Sequence, residues 1–152
     1  MSTDELKIKI ADLLPAAVFD ETGEWLNVFV QPADWPAFAK HLYFDESLHF
    51  DFLFCVTCVD FKTNFTMLYH LTSTKYRHTV VVKSLLDYSN PSIETVTDIW
   101  HTANFHEREV YEMFGINFIN HPDLRLLILP DGWEGKNPMR KDFEDEVNMI
   151  RL

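Results

Sequence analysis

The sequence has 152 residues, of which 47% are hydrophobic and 14% aromatic; this is enough apolar material for the core of one domain and excludes a disordered chain. Its formal net charge of -11, from 13 basic and 24 acidic residues, argues against nucleic acid or an anionic membrane surface as the main partner, because both attract clustered cations. A basic partner surface is the easier match.

The N-terminal part of the chain predicts a helix followed by a β-hairpin. Thr3 has the side chain of a helix N-cap, and apolar residues at helical spacing follow it as far as Leu14. Two β-rich stretches, at 16–21 and 24–31, then flank Gly23, which provides the positive φ of a tight turn.

The centre of the chain predicts one more helix and then three strands in a row. Residues 32–44 begin with proline and place apolar side chains three and four residues apart, so a second helix is expected. Three stretches rich in β-branched and aromatic residues follow, at 50–61, 65–73 and 79–86. Short polar connections join them, which indicates an antiparallel meander.

After Asn90-Pro91 the apolar residues change to a helical period, and the predicted third helix ends at Gly115. Its apolar face consists of Ile99, Ala103, His106, Val110, Met113 and Phe114. Beyond Gly115, turn and helix-breaking signals recur at His121-Pro122, Pro130-Asp131-Gly132 and Asn137-Pro138. We therefore expect an α+β fold, with an antiparallel β-sheet and helices packed on it over residues 1–115, and an extended irregular C-terminal arm, residues 116–152, of the same single domain.

The residues that usually mark catalytic or metal sites are scattered or missing. Cys55 and Cys58 lie three apart in a predicted strand, so their side chains should point to opposite faces of the sheet and act as structural thiols. His70, His78 and His106 form no metal-ligand pair and are expected to be structural. The sequence contains no glycine-rich phosphate loop, nucleophile elbow or cluster-binding cysteine set. The chain is therefore expected to bind no cofactor or metal and to have no catalytic residue of its own.

Export and membrane signals are also missing from the sequence. No apolar run reaches the roughly 20 residues of a transmembrane helix, and the N-terminal residues lack the cationic and apolar regions of a signal peptide. Two cysteines in such a chain do not indicate a disulfide framework. We expect a soluble protein with reduced thiols and no transmembrane segment.

The predicted third helix carries a dense group of charged residues. Arg108 and Glu112 are four residues apart and are expected to pair along the helix surface. Glu107 and Glu109 then remain available for partner proteins.

The C-terminal arm alternates basic and acidic blocks, although the chain as a whole is acidic. The blocks are Lys136, Arg140, Lys141 and the largely acidic run at 142–146. Arginine binds carboxylates and carbonyl groups in defined geometry, and Trp133 beside Arg125 and Arg140 has the composition of an interface hot spot. This pattern predicts a segment that docks on other proteins.

These residues resemble the signature of the respiratory-chain NADH dehydrogenase 30 kDa subunit family, which includes the C-type subunit of the bacterial enzyme and the J-type subunit of chloroplasts. The residues that carry the resemblance are Glu107, Arg108, Glu109, Glu112, His121, Pro122, Arg125, Trp133, Arg140, Lys141 and Asp142. The chain departs from the family pattern at 135–138, where Gly-His-Pro becomes Gly-Lys-Asn-Pro. Because the sequence ends at Leu152, neither a long C-terminal extension nor fusion to the large subunit is expected.

The resemblance implies a non-catalytic subunit of proton-translocating NADH:quinone oxidoreductase, in the peripheral arm of the complex at the cytoplasmic face of the plasma (inner) membrane. Its implied partners are the large quinone-site subunit (49 kDa or D type) and the small iron–sulfur subunit (B type), over which the C-terminal arm wraps. NADH, FMN, the iron–sulfur clusters and the quinone, ubiquinone or menaquinone, would all be bound by other subunits.

Two alternatives remain open from the sequence. The first is the equivalent subunit of a related membrane-bound hydrogenase or of a ferredoxin- or F420-linked dehydrogenase, because nothing in the chain specifies the electron donor. The second, from another class, is a free-standing metal-dependent hydrolase that uses His106, Glu107 and Glu109.

Overall fold

The structure is a computed structural model that describes residues 1–149; the last three residues of the predicted C-terminal arm lie outside the described part. In chain order the elements are α1 (Thr3–Leu13), β1 (Val18–Asp20), β2 (Leu26–Phe29), α2 (Trp35–Phe44), β3 (Phe52–Asp60), β4 (Asn64–Thr72), β5 (Thr79–Asp87), β6 (Ser92–Glu94), α3 (Ala103–Phe114) and β7 (Asn117–Ile119). The predicted α+β class is confirmed. As far as residue 149, the C-terminal arm begins with the short strand β7 and otherwise consists of turns and irregular backbone.

The main sheet has five strands in the order β1-β2-β5-β4-β3. Strands β3, β4 and β5 pair antiparallel in succession, and so do β1 and β2, as the sequence predicted. The pairing of β2 with β5 is parallel, because the chain crosses from β2 through α2 to the far edge strand β3 and returns by way of β4. Strands β6 and β7 form a separate parallel pair, which joins the start of the C-terminal arm to the residues that precede α3.

Side chains from all three helices and from one face of the main sheet form a single apolar core. Trp35 of α2 is fully buried, with its ring centroid 4.5 Å from that of Tyr69 and 6.4 Å from that of Trp100. The opposite face of the main sheet, here called the outer sheet face, carries large apolar side chains that are 38 to 62% exposed, namely Val18, Trp25, Val59, Phe61 and Leu85. Such a concentration is typical of an interaction surface.

Three local predictions are wrong in detail. Helix α1 is capped by Ser2 instead of Thr3, because the Ser2 hydroxyl accepts from the Glu5 N–H while the Glu5 carboxylate accepts from the Ser2 N–H. Gly23 does not have a positive φ. Helix α3 begins at Ala103, since the backbone before it forms turns.

The two cysteines point to opposite faces of the sheet, as the sequence predicted, whereas the prediction for one histidine is an exception. Cys58 is buried on the core side of β3, where desolvation raises the pKa of its thiol to about 12, whereas Cys55 points to the outer sheet face. His78 is buried with its Nε2 2.7 Å from the Leu48 carbonyl oxygen, and burial lowers its pKa. The exception is His106, which is half-buried instead of lying in the core. None of the helices within residues 1–149 is long and apolar enough to cross a membrane.

Candidate functional site

The charged side chains of α3 are mostly buried, although the sequence analysis placed them on the surface. Glu107, Arg108 and Glu112 are only 0, 5 and 1% exposed, whereas Glu109 is exposed. The predicted surface pair between Arg108 and Glu112 is therefore wrong, and so is the prediction that Glu107 is available for partners. Residues four apart on a helix are neighbours, but both of these side chains bind the backbone that covers the helix instead.

Arg108 and Glu112 hold five consecutive residues of the C-terminal arm, 125–129, here called the clamped segment. The arginine donates to two consecutive carbonyl oxygens, and the carboxylate accepts from the next three backbone N–H groups. The distances are 3.1 Å from Arg108 Nε to Arg125 O, 2.7 Å from Arg108 Nη2 to Leu126 O, and 2.9, 2.9 and 3.2 Å from the N–H groups of Leu127, Ile128 and Leu129 to the Glu112 carboxylate. Two buried charges thus stabilise backbone that has no sheet partner.

The clamp determines which side chains of the arm point outward. Leu127 is 39% exposed and Ile128 is 61% exposed, although their N–H groups are bound to Glu112. Phe105 is also 61% exposed, with the Arg108 guanidinium carbon 5.7 Å from its ring centroid. A rigidly held, exposed apolar edge of this kind can contact another protein without first being ordered.

Glu107, the residue before Arg108 on α3, ties the helix to the residues that follow β6. Its carboxylate accepts from the Thr95 hydroxyl and, at 3.0 Å, from the Val96 N–H. Burial of the side chain raises the pKa of Glu107 to about 7, even though these hydrogen bonds oppose the shift.

His121 connects the beginning of the C-terminal arm to α3 beside Glu107. Its Nδ1 accepts from the Asp123 N–H at 3.0 Å, which leaves the proton on Nε2 for the Asn104 carbonyl oxygen at 3.1 Å. The imidazole is fully buried, with Nε2 3.8 Å from a Glu107 carboxylate oxygen, and burial lowers the pKa of His121. We infer a neutral histidine that fixes the start of the arm against α3.

The far end of the arm is attached to the sheet through Asp60, the last residue of β3. One carboxylate oxygen accepts from the Lys141 N–H at 2.8 Å and from the Tyr88 hydroxyl at 3.2 Å, and the other accepts from the Lys62 N–H at 2.7 Å. Asp60 is 4% exposed, so this attachment is shielded from solvent.

Arg140 reinforces the attachment with its side chain. The guanidinium carbon lies 5.0 Å from the ring centroid of Phe65 and 4.8 Å from that of Tyr88, and the group binds Asp142 through two hydrogen bonds of 2.8 and 2.9 Å. A guanidinium over aromatic faces gains a favourable cation–π interaction. Arg140 and Asp142 thus hold their own arm in place.

The departure from the family pattern at 135–138 lies against the end of α3. Gly115 terminates the helix with a φ of +76°, and a Cβ at this position would lie 2.6 Å from the Asn137 amide nitrogen. The glycine is required both for the left-handed conformation and for this close approach.

The structure brings the predicted site residues together in three groups. They are Arg108, Glu112 and Arg125 at the clamp; Glu107 and His121 at the start of the arm; and Arg140, Lys141 and Asp142 at its far end. The predicted hot spot of Trp133 with two arginines is wrong, because the cation over Trp133 is Lys136, 4.4 Å from the ring centroid, while Arg140 lies over Phe65 and Tyr88. Pro122 is exposed at the edge of a groove beside α3.

Sequence reasoning missed the residues that receive the arm, above all Thr95, Tyr88 and Phe65. Of the residues that receive the arm, Asp60 was the one that the sequence could have indicated, because a carboxylate on the core face of a strand requires hydrogen-bond donors nearby.

Comparison with known proteins gives a consistent result. Residues 28–147 match the family model described as the respiratory-chain NADH dehydrogenase, 30 Kd subunit. The chain is 40% identical over 120 residues to the C-type subunit of NADH-quinone oxidoreductase from Roseiflexus sp. (strain RS-1), an alignment that covers 77% of this chain and 68% of that protein. It is also 40% identical over 108 residues to the C-type subunit of F(420)H(2) dehydrogenase from Methanosarcina mazei, which covers 70% of this chain and 68% of the relative.

Among solved structures, the chain resembles one from a membrane-bound sulfane sulfur reductase, an archaeal respiratory membrane complex. The two share 26% sequence identity with a TM-score of 0.78, and the alignment covers 93% of this chain and 85% of the other.

Proposed function

Because the chain belongs to the respiratory-chain NADH dehydrogenase 30 kDa subunit family, whose members are subunits of NADH:quinone oxidoreductase, we propose that it is a non-catalytic subunit of such a complex and positions its neighbours for electron transfer from NADH to quinone. Its contribution is geometric: it holds two redox subunits at the separation that electron transfer requires. It lowers no chemical barrier itself.

The observation that carries this proposal is the use that α3 makes of its buried charges. Arg108 and Glu112 are both engaged by the backbone of the clamped segment, which supports a positioning role for them. Within the described residues 1–149, no three His, Cys, Asp or Glu side chains converge as metal ligands. The exposed Leu127 and Ile128 and the outer sheet face are two apolar surfaces that other subunits can contact.

The partners we propose are the large quinone-site subunit (49 kDa or D type) and the small iron–sulfur subunit (B type). NADH, FMN, the iron–sulfur clusters and the quinone then belong to other subunits, and this chain binds none of them. Its place is the cytoplasmic face of the plasma (inner) membrane, where it is held through the complex.

A second candidate function is the same positioning role in a different respiratory complex. The likeness to the F(420)H(2) dehydrogenase chain and to a chain of a sulfane sulfur reductase supports it, because similar subunits serve complexes with different donors. By contrast, the hydrolase alternative finds little support, since Glu107 is buried while Glu109 is exposed on the same helix, and their carboxylates do not converge.

The deciding experiment is native-gel sizing of the tagged protein, extracted from its own cells in mild detergent, with the co-migrating subunits identified by mass spectrometry. Migration with quinone-site and iron–sulfur subunits supports the proposal, and the donor subunits distinguish NADH from F420H2 or ferredoxin. Migration alone, near its own mass of 17.9 kDa, contradicts both candidates.

A further inference from the structure

A groove of about 830 Å³ lies beside α3. It lies between α2, the connection from β6 to α3, the first turn of α3 and the start of the C-terminal arm. Its lining includes Pro36, Lys40, Glu94, Asp98, Ile99 and Pro122. The groove is distinct from the clamp, which holds residues further along the arm, but it shares α3 and the beginning of the arm with it.

The lining of this groove contains more acidic than basic side chains. Asp98 is exposed and makes no hydrogen bond or ion pair within residues 1–149, and Glu94 accepts only a neutral hydrogen bond, from the Asn120 amide. Glu107 lies directly behind Thr95. Burial is the main cause of its raised pKa, and the negative charges of Asp98 and Glu94 raise that pKa further. Among the lining residues, Lys40 is the one permanent cation.

The walls of the groove are apolar where they are not acidic. Pro36, Ile99 and Pro122 contribute aliphatic surface, and Phe105 presents a ring that is 61% exposed. A long side chain with an aliphatic stem and a cationic head matches this combination, because the stem packs on apolar walls while the head meets carboxylates or an aromatic face. Arginine and lysine are the side chains with that construction.

We propose that this groove receives an arginine- or lysine-bearing segment of a neighbouring subunit, with the basic side chain directed at Asp98 and Glu94. The inference rests on the proposed function, since it requires that the chain is assembled with other subunits. It adds to that function the part of the surface that is contacted and the chemistry of the segment that docks there.

The first test is charge reversal in the intact complex. Asp98→Lys places a cation in the groove and should reduce the amount of this protein retained in the complex about five-fold or more, with a further loss at low salt, where like charges repel most. The matched control is Asp12→Lys, because Asp12 is an exposed carboxylate on α1, away from the groove. Equal retention of the Asp98→Lys and Asp12→Lys proteins overturns the inference.

The second test leaves the groove charges unchanged and identifies the occupant. A photo-reactive amino acid is placed at His101, which lines the groove, or at His41, which is also exposed but lies outside it. Irradiation of the assembled complex should join position 101, and not position 41, to a peptide of another subunit that contains arginine or lysine next to the adduct. An adduct with a peptide that lacks basic residues, or no adduct from an assembled complex, overturns the inference while the proposed function stands. If the unmodified protein never enters a complex, both fail.

Discussion

Asp60, the last residue of β3, accepts a hydrogen bond of 2.8 Å from the backbone N–H of Lys141, which lies 81 residues further along the chain. This contact, together with Arg140 over two aromatic rings, fixes the far end of the C-terminal arm to the sheet. The near end is fixed by the clamp on α3. The arm is thus attached on α3 and again at residues 140 and 141, although its described part contains little regular structure.

Asp60→Asn should loosen the far end of the arm. The amide replaces a charged acceptor by a neutral one and by a donor, so the free energy of unfolding should fall by about 1 to 3 kcal/mol. Hydrogen exchange at the Lys141 amide should also accelerate. Asp87→Asn is the control, because Asp87 likewise ends a strand but is exposed and binds only Ser89. Equal exchange rates in the two variants would contradict this role of Asp60.

Glu112→Gln should release the clamped segment. The variant turns an N–H donor toward backbone N–H groups that need an acceptor, and a buried unsatisfied donor costs about 1 to 3 kcal/mol. We expect faster amide exchange and easier proteolysis at residues 125–129. Glu109→Gln changes an exposed side chain of the same helix and should leave both measurements unchanged; if it matches Glu112→Gln, the clamp is not what protects the segment.

Arg108→Ala and Arg140→Ala should each reduce the quantity of assembled complex more than the turnover of the complex that survives. Both side chains position the arm and do not act on substrate. Quantitation on native gels, with turnover measured per assembled complex, separates the two effects. Lys75→Ala removes an exposed cation elsewhere and serves as the control. Normal assembly combined with lost turnover would falsify the positioning role.

Gly115→Ala should destabilise the protein more than Gly132→Ala. Both glycines have a positive φ, +76° and +88°, so both substitutions carry a backbone strain of about 1 kcal/mol. Only at Gly115 does the new Cβ also meet Asn137, at 2.6 Å, whereas nothing lies within 4 Å at Gly132. Chemical denaturation measures the difference. Adding Asn137→Gly to Gly115→Ala should recover part of the loss, because Asn137 itself has a positive φ of +49°, which glycine adopts without strain; no recovery would show that the contact is unimportant.

The buried Glu107 should make stability depend on pH. Its folded-state pKa of about 7 lies above the ordinary value of 4.5, so the native state holds its proton more tightly than the unfolded state does. The stability from this group is complete below pH 4.5 and is lost as the pH rises to about 7, by at most about 3 kcal/mol.

Glu107→Gln should remove this pH dependence. Unfolding free energies of wild type and variant at several pH values between 4.5 and 7.5 measure it, and their difference gives the contribution of Glu107 together with its coupling to His121, whose Nε2 lies 3.8 Å from the carboxylate. A difference that does not vary with pH would mean that Glu107 titrates normally.

The elements of this fold were predictable because their signals are local. The apolar period of α3, the strand composition of β3 to β5 and the turn residues of the arm all act over a few neighbouring positions, and their predicted spans agree with the structure to within a few residues. The error at Thr3 arose because the adjacent Ser2 can serve the same capping purpose, whereas the connection at Gly23 is made without any positive φ.

Local spacing did not predict whether the charged side chains of α3 face water or protein. The spacing of Arg108 and Glu112 establishes that they are neighbours on the helix, but not whether water or protein covers them. The structure shows that residues 125–129 cover both, so each side chain exchanges a weak surface ion pair for hydrogen bonds to backbone groups that have no other partner.

The sequence by itself therefore determined the family, the order of the three helices and of the five strands of the main sheet, and many of the residues that hold the arm, because these depend on local spacing and on a motif. Only the tertiary structure decided that Asp60 meets Lys141, that Glu107 is buried beside His121, and that Asp98 faces an open groove. Burial and contact between distant segments depend on how the arm packs across the domain, and that packing leaves no periodic signal in the chain.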